Sequence, residues 1–131
     1  MSGLTLYPTF QEALHLHRRL IEEFGGSEGL RDAGLLESAL GRPRSGYYAT
    51  VYEQAAALLH SVVQNHAFVD GNKRVGFALT AVFLLLNGFH LTVGADEAET
   101  FVIGTVIGNR VDVPVIAEWL AKHCKPLKRG H

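Results

Sequence analysis

The segment HAFVDGNKR, from His66 to Arg74, places a histidine, a carboxylate, an amide and two cations between two apolar runs. YEQAAALLHSVVQN precedes the segment and VGFALTAVFLLLNG follows it. Charged and polar groups beside a core cost free energy unless they are paired or bind a ligand. This segment is therefore the first candidate for a functional site.

The last residues of the segment favour a phosphate site at the start of a helix. A helix N-terminus offers free backbone N–H groups and the positive end of the dipole. Gly71 permits the tight turn, Asn72 can donate an amide hydrogen, and Lys73 and Arg74 supply full charges. Cations in a first turn cost about 0.3–1 kcal/mol each unless an anion answers them. A bound phosphate would be that anion.

His66, Phe68 and Asp70 have separate predicted roles. Asp70 could hold Mg²⁺ against a phosphate, because this ion accepts one carboxylate together with phosphate oxygens and water. His66 could take a proton from an attacking hydroxyl, since imidazole exchanges protons near neutral pH. Phe68 would anchor the loop to the core. The alternative is a plain capping and ion-pair cluster in which Asp70 neutralises the two cations. Spacing alone does not decide between this cluster and a phosphate site.

Capping patterns predict the helices that position this segment. TFQE, from Thr9, is a capping box that opens a helix through Phe24, and Gly25-Gly26 then stops it. TVYE, from Thr50, opens a second helix to about Asn65. His17 falls on the apolar face of the first helix and is interpreted as a core or rim histidine. Four further helices are predicted: one from Asp32 to about Leu40, one from about Asn72 to Leu86, one from about Asp96 to Gly108, and one capped by Asp112.

The rest of the chain adds little regular structure to this prediction. Two β-branched pieces, near residues 91–93 and 111–113, are too short to build a sheet. Residues 122–131 are basic and are predicted to form a flexible tail. The pattern predicts one all-α domain over residues 1–131.

Composition excludes several classes of protein. The chain has 131 residues, of which 47% are apolar, and a net charge of −1. That balance gives no electrostatic signal for binding DNA or an anionic membrane. The longest apolar run is shorter than the roughly 18–20 residues that span a bilayer. With a single cysteine, Cys124, and no apparent signal peptide, a cytoplasmic protein is expected.

The segment HAFVDGNKR resembles the signature of the Fic/Doc superfamily, H-x-F-x-D/N-G/A-N-x-R, which joins two central helices. Fic enzymes that transfer AMP carry a glycine where this chain has Lys73 and a further arginine where it has Phe77. A lysine at the position of Lys73 is typical of the Doc (death-on-curing) toxins. The upstream run GLRDAGLLESALGRPR and the helix that contains Glu53 are also similar to the Doc family.

This resemblance implies a fold and a function. The fold would be a bundle of about six helices with a central helix–loop–helix that carries the motif. The protein would be the toxin of a type II toxin–antitoxin pair. It would move the γ-phosphate of ATP, with Mg²⁺, onto a threonine of elongation factor Tu and thereby arrest translation. Its partner would be a Phd-like antitoxin whose disordered C-terminal segment folds as a helix into a groove on the toxin.

The resemblance also implies residue roles by position. His66 would be the general base and Asp70 the magnesium ligand, and both would belong to the catalytic set with Lys73 and Arg74. Phe68 would be the structural anchor. The phosphate hole would be lined by Gly71, Asn72, Lys73 and Arg74.

Several alternatives remain open in the sequence. The loop GRPRSGYY contains Arg42 and Arg44, which are candidates for binding the target protein. The loop could equally be an ordinary surface loop whose tyrosines pack inward. For the activity, the alternatives are AMP transfer as in Fic proteins, a DNA-binding helix-turn-helix, or a catalytically inert partner of an antitoxin. The near-zero net charge argues against direct binding of nucleic acid.

Overall fold

The computed structural model describes residues 4–127, and helices make up most of them, which confirms the all-α prediction. None of these helices has the length and apolar character needed to cross a membrane. The elements in chain order are α1 Phe10–Phe24, α2 Ala33–Gly41, a 3₁₀ turn Arg42–Arg44, α3 Val51–Asn65, α4 Asn72–Leu86, β1 Phe89–Leu91, α5 Ala95–Thr100, a π-helical segment Phe101–Ile107, α6 Val113–His123 and β2 Cys124–Pro126.

Both predicted capping boxes are present. The Thr9 hydroxyl accepts the Glu12 N–H at 3.1 Å, and the Glu12 carboxylate accepts the Thr9 N–H at 2.8 Å. Thr50 and Glu53 make the same reciprocal pair at the start of α3. Each pair satisfies backbone donors that the first helical turn leaves free. These local contacts are the reason that the helix starts could be predicted.

The centre of the bundle is the pair α3 and α4. Helix α3 is buried along most of its length, and it packs against α4 on one side and α6 on another. At Gly76 the two central helices approach closely, because a Cβ there would lie 2.9 Å from Val63 Cγ2. Only glycine fits this contact without a shift. The packed pair holds the C-terminus of α3 and the N-terminus of α4 at fixed positions on either side of the motif loop.

The prediction of a flexible tail is wrong for the first residues of that segment. Lys122 and His123 complete α6, and Cys124–Pro126 form β2, which pairs antiparallel with β1. The β-branched pieces near 91–93 and 111–113 contribute only Leu91 to this small sheet. Pairing satisfies backbone groups of both short strands, and the basic composition of the segment gave no sign of it. Residues 128–131 of the predicted tail lie outside the described residues.

The helix predicted from about Asp96 to Gly108 is present but changes character. After α5 the chain continues as the π-helical segment, whose Phe101 ring stacks on Trp119 at 3.9 Å. The Trp119 ring stacks in turn on His123, and His123 Nε2 lies 3.1 Å from Glu97 Oε2. These contacts fasten α5 to α6. π-helical turns are rare in proteins, and those that occur are often found at functional sites.

Candidate active site

The motif loop, residues 66–71, begins and ends with residues in the left-handed conformation. His66 caps α3 with φ 52° and ψ 49°, and Gly71 caps α4 with φ 76°. A residue other than glycine pays roughly 1–2 kcal/mol for this conformation, so the surroundings must hold His66 in place. Arg31 does so: its Nε donates to the His66 carbonyl at 2.8 Å and its Nη2 to the Asn65 carbonyl at 3.2 Å.

A second loop, residues 25–32, runs beside the motif loop and pairs with it. The Arg31 N–H donates to the Ala67 carbonyl at 2.7 Å, and the Val69 N–H donates to the Gly29 carbonyl at 3.0 Å. The structure places Phe68 in the core with 2% of its surface exposed. The backbone of the motif is therefore fixed from one side by hydrogen bonds and from the other by an aromatic ring.

The Asn72 side chain holds the motif loop. Its Oδ1 accepts the Phe68 N–H at 3.0 Å, and its Nδ2 donates to the Phe68 carbonyl at 2.9 Å. The residue is buried. The amide thus clamps the loop, while the second Nδ2 hydrogen and the backbone N–H are not used in these two contacts, and phosphate binding by Asn72 stays a prediction.

The start of α4 presents a set of donors for an anion. The first backbone hydrogen bond of the helix runs from the Val75 N–H to the Gly71 carbonyl at 2.9 Å. The N–H groups of Asn72, Lys73 and Arg74 precede this ladder and have no intrahelical acceptor. Both cationic side chains are exposed. The arrangement combines free amides, the helix dipole and two full charges.

Arg74 is held by an aromatic ring. Its guanidinium carbon lies 4.5 Å from the centre of the Phe24 ring, at the end of α1. A cation over a ring face is attracted by the π electrons, and the contact leaves the N–H groups of the guanidinium free to bind oxygen atoms. Phe24 is 56% exposed, and its role in orienting Arg74 accounts for an apolar ring at the surface.

Asp70 is held by backbone amides. Its Oδ1 accepts the Gly71 N–H at 2.8 Å, and its Oδ2 accepts the Ser27 N–H at 3.1 Å. These bonds, from Ser27 first and then Gly71, lower the pKa of Asp70 below its ordinary value. The ion pairs found within residues 4–127 do not include Asp70, so the predicted ion-pair alternative is not formed. The carboxylate is exposed and ionised at neutral pH.

The carboxylate oxygens of Asp70 suit a magnesium ion that is also bound to phosphates. Each carboxylate oxygen accepts one N–H and keeps a further lone pair. Within the described part of the chain, no group of three or more His, Cys, Asp or Glu side chains could hold a metal by itself. Mg²⁺ does not need such a cage, because one carboxylate, phosphate oxygens and water are enough.

Gly26 determines how close the second loop comes to Asp70. Its φ is +115°, and a Cβ at this position would lie 2.8 Å from Asp70 Oδ2. Gly26→Ala should therefore lower the free energy of unfolding by about 1–3 kcal/mol and displace the carboxylate. Gly41→Ala is the control, because Gly41 has a helical φ of −80° and open space around it. Equal melting temperatures for Gly26→Ala and Gly41→Ala would contradict this assignment.

The motif lines a pocket of about 580 Å³, within the range of sites for small ligands. His66 and Asp70 lie at its polar side with Lys73 and Arg74. The facing wall comes from α5 and the π-helical segment and is mostly apolar. The wall residues are Ala95, Ala98, Glu99, Val102 and Ile103. A second cavity, of about 440 Å³, lies between α1 and residues 28–30 and contains only Phe68 of the motif.

Arg42 and Arg44, the two arginines predicted as candidates for target binding, have different environments. Arg42 donates to Tyr48 Oη, His60 Nδ1 and Ser61 Oγ, each at 2.9 Å. These bonds hold the 3₁₀ turn against α3 through Nε and Nη1, and a role of Arg42 in target binding stays a prediction. Arg44 is exposed, with its guanidinium 5.2 Å from the centre of the Tyr7 ring, and its role in target binding stays a prediction.

His60 makes the stability of this region depend on pH. Burial, and next the guanidinium of Arg42, lower the pKa of His60 below its ordinary value, while Asp112 acts in the opposite direction. The unfolded chain therefore takes up this proton at a higher pH than the folded chain does. The stabilisation is complete above about pH 6.5 and is lost as the pH falls through the folded pKa.

This pH dependence can be measured by thermal unfolding. Between about pH 7.5 and 5.5, the melting temperature of the wild type should fall more than that of His60→Asn, whose amide can still accept from Arg42. The difference between the two curves isolates His60 from the other histidines. Parallel curves would show that His60 does not contribute.

Sequence reasoning missed the residues that support the loop from outside the motif. Arg31 and Ser27 carry no motif signal, and the clue at Gly26 is only that Gly25-Gly26 follows a helix. Glu99, on the pocket wall, has no signal at all. His17 was correctly predicted to be a core histidine, with 4% of its surface exposed, but its contact with the motif loop was not foreseen.

Comparisons with known proteins agree with this geometry. A family model described as the Fic/DOC family matches residues 7–84, which run from before α1 into the last turn of α4. A protein named Toxin Doc, from Mycolicibacterium smegmatis, is 44% identical over 114 residues, covering 82% of this chain and 87% of the relative. A protein named Protein kinase doc, from Escherichia phage P1, is 28% identical over 116 residues, covering 86% and 90%. The chain belongs to the Fic/DOC family.

Proposed function

We propose that this protein is the toxin of a toxin–antitoxin pair and acts as an ATP-dependent protein phosphotransferase. The observation that carries the proposal is the composition of the 580 Å³ pocket. A histidine, an ionised carboxylate and a cationic helix start share it, with a lysine at position 73. The names of the two relatives, a toxin and a protein kinase, support the proposal.

The start of α4 would bind the triphosphate. Its free N–H groups, Lys73 and Arg74 offer hydrogen bonds and charge to phosphate oxygens. The apolar wall of α5 and the π-helical segment would face the base, and Phe24 would keep Arg74 in place. Phosphoryl transfer depends mainly on positioning and on neutralising charge, and the proposal assigns both roles to these groups.

His66 would act as the general base. The imidazole would accept the proton of the target hydroxyl while that oxygen forms a bond to the γ-phosphorus. The bond from the γ-phosphorus to the β–γ bridging oxygen breaks, and ADP leaves with the electron pair. His66 is exposed and lines the pocket, so a side chain of another protein can reach it.

Asp70 would hold the magnesium ion that the family implies. When bound, the ion would neutralise negative charge on the phosphates. The chain's own contribution is to keep the carboxylate ionised and correctly oriented through the Ser27 and Gly71 amides.

Lys73 and Phe77 favour transfer of the terminal phosphate over transfer of AMP. A lysine side chain fills space that a glycine would leave open for a phosphate against the helix start. Phe77, which also lines the pocket, supplies no second arginine for the triphosphate tail. Both features support a nucleotide bound with its γ-phosphate toward His66, and the relative named as a protein kinase agrees with this orientation.

The proposed target is a threonine of elongation factor Tu, and the proposed partner is a Phd-like antitoxin. Neither follows from the pocket itself. Both rest on the resemblance to Doc toxins and on the relative named Toxin Doc. Because the proposed target is a translation factor, the cytoplasm is the proposed place of action.

Labelled ATP tests the activity. The protein would be incubated with Mg²⁺ and a bacterial extract, once with ATP labelled at the γ-phosphate and once with ATP labelled at the α-phosphate. A band labelled only from γ-labelled ATP supports phosphoryl transfer, and its mass spectrum identifies the modified residue. A band labelled from α-labelled ATP would instead establish AMP transfer. No label on any protein would favour an inert partner of an antitoxin.

A further inference from the structure

His17, on α1, makes a buried contact with the motif loop. Its Nε2 lies 2.7 Å from the Asp70 carbonyl oxygen. Its ring stacks on Phe68, with 3.8 Å between ring centres and 9° between planes. Only 4% of the residue is exposed. A helix outside the motif thus reaches the backbone beside the carboxylate.

The contact determines which ring nitrogen carries the proton. A carbonyl oxygen can only accept a hydrogen bond, so Nε2 must be the protonated nitrogen of His17. Stacking on Phe68 holds the ring in the plane that points this N–H at Asp70. The hydrogen bond and the stack act on the same loop from one side chain.

The Asp70 carbonyl and the Gly71 N–H belong to the same peptide unit. The bond is trans, so the two groups point in opposite directions. The carbonyl points to His17, and the N–H donates to Asp70 Oδ1 at 2.8 Å. Fixing the carbonyl therefore fixes the N–H and, through it, the orientation of the carboxylate.

The peptide unit would otherwise have a second orientation. Gly71 has φ +76°, and a glycine there tolerates rotation of the preceding peptide plane, the rotation that relates type I and type II turns. Rotation would turn the Asp70 carbonyl toward its own carboxylate and remove the amide from Oδ1. His17 disfavours that orientation, because its donor would then be buried without an acceptor.

We propose that His17 is a positioning residue: by holding the Asp70–Gly71 peptide, it presets the carboxylate for a magnesium–nucleotide complex. The proposal rests on the proposed function of the pocket. It assigns no contact between His17 and substrate, and it explains why a polar side chain is placed among apolar neighbours on α1.

Two substitutions separate the hydrogen bond from the packing. His17→Phe keeps an aromatic ring against Phe68 and removes the donor. His17→Gln removes the ring and places an amide near the position of Nε2. His15→Gln is the control, because His15 is an exposed histidine on the same helix.

The effect of each substitution is measured without turnover, as binding of a non-hydrolysable ATP analogue. Calorimetry follows this binding over a range of Mg²⁺ concentrations. His17→Phe should need about 10–100-fold more Mg²⁺ for half-maximal binding, the usual cost of losing a group that orients a metal ligand. His17→Gln and His15→Gln should stay close to the wild type. An unchanged Mg²⁺ requirement in His17→Phe would overturn the inference. Absence of analogue binding by the wild type would instead overturn the proposed function.

Nuclear magnetic resonance of the wild-type protein tests the same point without a substitution. The ¹⁵N shifts of His17 should show the proton on Nε2, and the Gly71 amide should resonate downfield as a donor to a carboxylate. A neutral ring with its only proton on Nδ1 would overturn the inference, even if His17→Phe did not fold.

Discussion

Replacing His66 with asparagine is expected to lower the rate of phosphoryl transfer by about 10²–10⁴-fold, the range that a general base contributes. The fold should survive. Asparagine tolerates the left-handed conformation that His66 adopts, and Arg31 binds the carbonyl of residue 66, which the substitution keeps. The rate would be measured with γ-labelled ATP and the target identified from the extract.

Gln64→Ala is a suitable control for this variant, because Gln64 is exposed one residue before the last of α3. It should transfer phosphate at the wild-type rate. If His66→Asn also did so, with an unchanged melting temperature, His66 would not be the base. A merely structural histidine would show the reverse pattern, a lower melting temperature and a normal rate per folded molecule.

Replacing Asp70 with asparagine is expected to lower transfer by about 10–100-fold and to raise the Mg²⁺ concentration that half-maximal transfer needs. The amide is neutral and has only one oxygen, so it is a weaker magnesium ligand than a carboxylate. It also cannot accept both the Ser27 and the Gly71 N–H groups. The measurement is the transfer rate across a magnesium titration.

Asp96→Asn is the matched control for Asp70→Asn. Asp96 is an exposed carboxylate in the first turn of α5 and does not line the pocket. Its replacement should leave the magnesium titration as in the wild type. A wild-type titration curve for Asp70→Asn would reject Asp70 as the metal ligand.

The helices could be predicted because their signals are local. Thr9 and Glu12 are three residues apart, and so are Thr50 and Glu53, and each pair forms its contact within one turn. The motif was equally easy to recognise, because the candidate site residues from His66 to Arg74 lie within nine consecutive positions. The same local reasoning did not foresee that the Asn72 side chain clamps Phe68, since a side chain at a helix start can contact the loop as well as a ligand.

The supports of the site could not be predicted, because they come from far along the chain. His17 and Asp70 are 53 positions apart, Ser27 and Asp70 are 43 apart, and Arg31 and His66 are 35 apart. No periodicity or spacing rule connects residues at such distances. The same is true of the pairing between β1 and β2, which turned a predicted tail into a strand.

The sequence by itself determined where the helices begin, which nine residues form the candidate site and which family the chain resembles. Each of these depends on neighbours within a turn or a short loop. Only the tertiary structure decided how the carboxylate is held, which cation is oriented by an aromatic ring and what forms the facing wall of the pocket. Those properties arise when α1, the second loop and α5 pack around the central pair of helices, and packing joins residues that the chain keeps apart.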